Sequence, residues 1–309
     1  MRKALARFTY YLSIWMAVAA ASFTLFHLIP SDPVRAMLGP NASESQVATV
    51  RQELGLDKPV MVQFSRYMSR ISKFDFGQSF VDRRSVGDEL GKRFKVTLSL
   101  ATVTVVIIFS YLILSTTLRL AGIKAWIAEL GDFLCVSLPV LFVGIAIALI
   151  SIRFYPFTRF SGELASFSDW MFLVPAAFVL SLYPMGILGR ILRKQLSEII
   201  GARYVLSARA FGLSNSLIWS RYVLRNASVP VLATFGNQLP LLISSTFIVE
   251  LIFSIPGIGA LLLRSVLERD LPMLEGIVLS TSVLILLISY TLELIYPYAD
   301  PRIRGASAI

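Results

Sequence analysis

The chain has 309 residues, of which 56% are hydrophobic and only 16% charged, and its mean hydropathy of +0.71 excludes an ordinary soluble domain and points to a membrane protein. The net charge of +10 would suggest nucleic acid in a soluble chain. Here Lys and Arg concentrate at the ends of apolar runs, where they fix orientation, so nucleic acid is excluded as a partner.

Six runs have the ~20 residues that a ~30 Å hydrocarbon core requires: 9–29, 97–118, 132–152, 171–190, 231–252 and 276–297. The first follows MRKALAR and continues as LFHLIPSDP without a small-residue cleavage site, so it reads as an uncleaved anchor. Residues 30–96 carry eleven Lys and Arg against eight acids, yet a loop longer than ~60 residues escapes the charge rule. Within it, QVATVRQELGL and PVMVQFSRYMSRISKF have helical apolar spacing, and SDP and LDKP supply cap and turn signals. The expectation is a small helical subdomain outside the cell membrane. Pro139, Pro175, Pro184 and Pro240 fall inside apolar runs, where membrane helices tolerate proline, at most as kinks.

Between the fourth and fifth runs stand Arg190, Arg193, Lys194, Arg203, Arg209, Arg221 and Arg225 against Glu198 alone, and Arg2, Lys3 and Arg7 precede the first run. Those segments are expected in the cytoplasm, and six spans then put both termini there. The segment after the fifth run adds Glu268, Asp270 and Glu275 to Arg264 and Arg269 and belongs outside.

In ARYVLSARAFGLSNSLIWSRYVLRNASVP, residues 202–230, Leu206, Ala210, Leu213 and Leu217 recur at three- and four-residue spacing, Gly212 interrupts the pattern, and Ser214 can cap the next helix. The spacing predicts a short helix, a turn, and a second helix leading through RYVLRN into the fifth span. Periodicity by itself supports a surface hairpin. No nucleotide site accompanies it: GDELGKRF has Val86 where a phosphate loop needs glycine and Arg93 where it needs Ser or Thr, and PGIG lacks a third glycine and a preceding strand. The single Cys135 and single His27 leave no disulfide framework, no cysteine metal site and no histidine-based catalytic pair.

PSDPVRAMLG, ELGLDKPVMVQF, FDFGQSF, KVTLSLA, ARYVLSARAFGLS with VLRNASVPVL, FSIPGIGALLLRSVLERDLPMLEG and the terminal DPRIR resemble, in that order along nearly the whole chain, the permeases of ABC importers, specifically the dipeptide, oligopeptide and nickel group. The resemblance implies an all-α polytopic membrane protein of the type I importer permease fold: residues 1–30 as N-terminus and first helix, 31–96 as a periplasmic subdomain, 97–298 as the permease core with a coupling loop at 200–226, and 299–309 as a cytoplasmic tail. It implies that Ala208, Arg209, Ala210 and Gly212 form the core of an ATPase-coupling motif with Leu213, and that Leu206 and Ser207 stand where an older signature has Glu and Ala.

The same resemblance makes FSIPGIGALL a gate region, with Pro256, Gly257 and Gly259 in it and Glu250 before it as pathway or gate residues. An ionisable group at Glu250 needs water or a partner such as arginine. Implied partners are a second permease of the same fold, two ATPase subunits or domains, a periplasmic binding protein and the lipid bilayer. ATP and magnesium belong to the ATPases, with no cofactor, metal or catalytic residue in this chain. The implied solute is a peptide or similar small molecule, with nickel or a metal chelate as the alternative in the same family; an ion-coupled carrier or channel is the rival from another class. Two departures stand out: LRLAGIKAWIAELGDF lacks an Arg-rich cluster, and YPFTRFSGELASFSDW has Trp170 near an expected histidine.

Overall fold

The computed structural model describes residues 2–28, 34, 38, 42–73, 75–120, 125–154 and 167–299, so the DPRIR tail, the SDP cap signal, most of YPFTRFSGELASFSDW and residues 121–124 of LRLAGIKAWIAELGDF lie outside the described residues. The chain divides into two compact units, Met1–Val96 with Pro256–Leu287, and Thr97–Ile255 with Ile288–Ile309.

In the first unit, α1 (Arg2–Leu28) is a long apolar helix. The helix α2 (Glu44–Leu54) starts at a capping box in which the Ser43 side chain accepts from the Gln46 N–H and the Gln46 side chain accepts from the Ser43 N–H; it ends at Gly55, whose φ of 69° closes the C-terminus. After α3 (Val60–Ile71), the core gathers Ala19, Ile71 and Leu279 with Trp15, Tyr67, Met68 and Phe76 around them. Phe23 meets Phe64 and Tyr67, each with ring centroids 5.2 Å away. FDFGQSF turns the chain: Ser79 N–H donates to Arg84 O at 2.9 Å and Val86 N–H to Gly77 O at 3.0 Å. The unit also holds the start of α4 (Val86–Leu120), all of α10 (Ile258–Glu268) and the first part of α11 (Leu271–Ala299). Gly276 lets α11 approach α4 closely, since a Cβ there would sit 2.6 Å from Val86 Cγ1.

The second unit is organised around α7 (Phe167–Ile200), which packs against α5 (Ala125–Ser137), α6 (Val140–Phe154) and α9, the continuous helix Asn215–Ile252. Leu173, Ala176, Ala177, Val179, Leu180, Leu188 and Leu196 of α7 are buried, and a helix apolar around most of its girth is one that others surround. Small residues bring α5 in: a Cβ on Gly186 would lie 2.5 Å from Val136 Cγ2 and 2.6 Å from Asp132 O.

Among the described residues five helices are long and apolar enough to cross a membrane, Leu5–Leu25, Val86–Leu120, Asp169–Ile200, Asn215–Ile252 and Leu271–Ile295. The expected third span, 132–152, is instead two helical pieces, Trp126–Ser137 and Val140–Ser151, bent by 96° at the break. Counted as one broken span, the pair brings the total to six, an all-α polytopic membrane protein. Proline does more at 139 than a tolerated kink: it has no N–H to continue the ladder and clashes with the preceding turn, and the helix stops there. Pro175, Pro184 and Pro240, by contrast, lie inside unbroken helices. The 35-residue α4 would reach about 52 Å, well beyond a ~30 Å hydrocarbon core, because hydropathy marks only the apolar middle of such a helix.

Candidate functional site

The basic hairpin forms as its spacing predicts. α7 ends at Ile200, α8 (Arg203–Ala210) is a two-turn helix, and α9 begins at Asn215, where the Ser214 hydroxyl accepts from the Leu217 N–H at 3.4 Å. At the turn, Gly212 has φ of +74°, and Leu213 N–H donates back to Ala208 O at 3.2 Å. Nothing lies within 4 Å of a Cβ built on Gly212, so glycine is required there by backbone conformation and not by crowding.

The face that packs inward differs from the expected stripe. Val205 and Ala208 are buried, as are Ile218 and Val223 further on, whereas Leu206, Ala210 and Leu217 are exposed and Leu213 is half-buried. Within α8 the helix turns Val205 and Ala208 inward instead of Leu206 and Ala210, and past it the left-handed Gly212 ends the helical phase that the stripe carried on to Leu213 and Leu217. Leu206 is left 51% exposed and Phe211 85% exposed, beside exposed Arg203, Ser207, Arg209 and Gly212. Of the predicted coupling residues, Ala208 is therefore the inward anchor and Leu206, Ser207, Arg209, Ala210 and Gly212 are presented outward.

Behind this face, Ile218–Leu224 is a π-helical segment inside α9, which the sequence pattern does not reveal. Asn226 Nδ2 donates to Tyr222 O at 2.7 Å, satisfying one carbonyl of the widened turn.

Glu250 lies near the other end of α9, about 38 Å along the axis from Arg225, so the structure does not bring it to the coupling residues. Its side chain is 0% exposed, and Thr97 Oγ1 donates to Glu250 Oε1 at 2.6 Å. The helix then ends with Ser254 at φ +53° and Ile255 N–H donating to Glu250 O at 2.8 Å.

Pro256, Gly257 and Gly259 belong to the first unit. Arg93 Nη1 donates to Pro256 O at 3.1 Å while its guanidinium pairs with Glu89 at 2.7 Å. Gly257 is the N-cap of α10, and Ile258 and Gly259 are buried beneath it. In the same unit Asp270, just before α11, holds the FDFGQSF turn: Ser79 Oγ donates to Asp270 Oδ2, and Phe80 N–H to Asp270 Oδ1 at 3.1 Å.

A second set of charges is missed by sequence reasoning. Asp132 of α5 pairs with Arg193 of α7 and accepts from the Tyr111 hydroxyl of α4. Asp132 stands at the first position of an apolar run and Arg193 among the topogenic arginines, so neither spacing nor composition joins them. Among the described residues no group of His, Cys, Asp and Glu could hold a metal ion.

Residues 126–305 match the family described as binding-protein-dependent transport system inner membrane component, and residues 1–101 match its N-terminal companion. Over 301 residues the chain is 33% identical to a putative peptide transport system permease protein of Brucella abortus, covering 94% of this chain and 95% of that protein. It is 31% identical over 297 residues to a glutathione transport system permease protein of Salmonella typhimurium, covering 94% of each.

Proposed function

We infer the function of this chain from the family to which it belongs, the inner membrane components of binding-protein-dependent transport systems. It is a non-catalytic permease subunit of an ABC importer. Its solute is a peptide or a peptide-like molecule such as glutathione, in keeping with the names of its relatives.

In this reading the chain forms half of the pathway beside a second permease of the same fold. Two ATPase subunits, which bind ATP and magnesium, dock on the cytoplasmic side, and a periplasmic binding protein delivers solute opposite. Both termini and the 200–226 loop are cytoplasmic, and residues 31–96 are periplasmic. The observation that carries the coupling role is the outward face of α8 and its C-cap: a hydrophobic side chain 85% exposed at Phe211 and Leu206 half-exposed, flanked by Arg203 and Arg209. Apolar groups that solvent would disfavour, rimmed by charge, fit a protein partner.

The test is disulfide or photo-crosslinking from Phe211→Cys and Ser207→Cys in the assembled complex. Both should trap an ATPase subunit, and Phe133→Cys on α5 should not. Equal trapping from all three positions would remove the hairpin from the docking role.

A further inference from the structure

The permease reading leaves the cluster around Asp132 without a task. A carboxylate inside an apolar span is expensive and persists only when paired, and a buried pair is a poor device for stability alone because packed hydrophobic groups often serve as well. What such a pair does supply is direction: it fixes one helix against another in one register.

Several contacts converge to that end. Asp132 is fully buried, and its partner Arg193 keeps a side chain only 12% exposed. Arg193 Nη1 also donates to Ala128 O at 3.2 Å, and Arg119 Nη1 donates to Arg193 O at 3.3 Å, so α4, α5 and α7 meet at one layer. Gly189 leaves the space: a Cβ there would run into the Asp132 carboxylate. The layer borders an open pocket of about 170 Å³ whose lining includes Tyr111, Arg119 and Arg193 together with Leu114, Ile127 and Leu192.

Position gives the contact its use. Arg193 lies seven residues before the end of α7, which runs directly into the hairpin, and α5 is the first half of the span that breaks by 96° before Val140. We propose that Asp132, held by Arg193 and Tyr111, is a positioning residue that makes α5 follow α7 when the hairpin moves, while the break at Pro139 lets α6 take a separate course. This role rests on the permease reading.

The test uses the complete importer in lipid nanodiscs with its ATPase subunits, in a Cys135→Ser background, spin-labelled at the exposed positions Phe133 and Lys194. The interlabel distance is measured without nucleotide and with MgATP plus vanadate. One narrow population, the same in both states, is expected of the parent. Asp132→Asn and Arg193→Gln should each add, in the vanadate state, a second population displaced by about 5 Å, one helical turn. The exchange Asp132→Arg with Arg193→Asp should recover the single population. A pair that only stabilised the fold would lower yield without creating a nucleotide-dependent population. An Asp132→Asn complex with the parental distribution in both states overturns the proposal. Should that variant fail to assemble, Tyr111→Phe decides, because it removes one hydroxyl and no charge: a second population supports the proposal and the parental distribution refutes it. A parent complex that hydrolyses no ATP would instead refute the permease reading, and this role with it.

Discussion

Thr97 and Glu250, 153 positions apart, meet in the interior of the second unit, the threonine hydroxyl donating to the carboxylate at 2.6 Å. Both side chains are almost completely buried, so the contact ties the start of the apolar part of α4 to the far end of α9 and gives Glu250 an acceptor's role. A carboxylate in such a place is tolerable because its oxygen is hydrogen-bonded.

Thr97→Val keeps the shape and removes the donor. It should destabilise the protein by about 1–3 kcal/mol, the range for stranding a buried polar group, and Thr97→Ser should retain most of the stability. Thermal unfolding of the purified protein in detergent measures both. Glu250→Gln keeps an acceptor oxygen for Thr97 and should assemble normally while changing the rate of uptake of a tripeptide probe.

Gly212 holds φ +74° in open space, so substitutions are judged by backbone strain alone. Gly212→Ala should loosen the turn by about 1–2 kcal/mol and Gly212→Asn by less, since asparagine visits the left-handed region more readily. Hydrogen exchange at Leu213, whose N–H reaches Ala208 O, reports the change directly.

The Ser79 and Phe80 donors converge on Asp270. Asp270→Asn turns one acceptor into a donor facing donors and should weaken the FDFGQSF turn by about 1–3 kcal/mol. The observable is faster exchange at Phe80, with Val205 on α8 as an unaffected reference.

Asp82 gives the same region a pH dependence. Its partial burial raises the carboxyl, but the Arg84 N–H, Ser79 and the guanidinium groups of Arg84 and Arg264 outweigh that and hold it below its ordinary value. A depressed folded value means that the stabilisation is present above the unfolded carboxylate value of about 3.9 and is lost as pH falls through the folded value. Exchange at Arg84, whose N–H donates to Asp82 Oδ1 at 3.2 Å, should speed up below about pH 4, and Asp82→Asn should abolish that step.

Much of the architecture is readable from the sequence because its signals are local. Apolar length marks the spans, helical spacing in QVATVRQELGL marks the helix that forms there, and Gly212 with Ser214 marks the hairpin turn. What escapes depends on phase or on distant partners. The inward face of α8 is Val205 and Ala208 and not Leu206 and Ala210, because both pairs have near-helical spacing and only what the helix packs against selects between them. Pro139 breaks its span although Pro175 and Pro184 lie inside an unbroken helix, so the presence of a proline in an apolar run does not by itself tell a break from a continuous helix. Asp132 with Arg193, Thr97 with Glu250 and Ser79 with Asp270 join positions 61 to 191 residues apart, so no spacing rule links them.

The most direct test of the central claim is the affinity of the purified ATPase subunits for the permease in nanodiscs when the outward face of α8 is truncated. Leu206→Ala with Phe211→Ala should weaken binding at least about 30-fold, the equivalent of a 2 kcal/mol hot spot, while leaving the permease folded. Binding within about twofold of the parent would contradict the docking role of the hairpin.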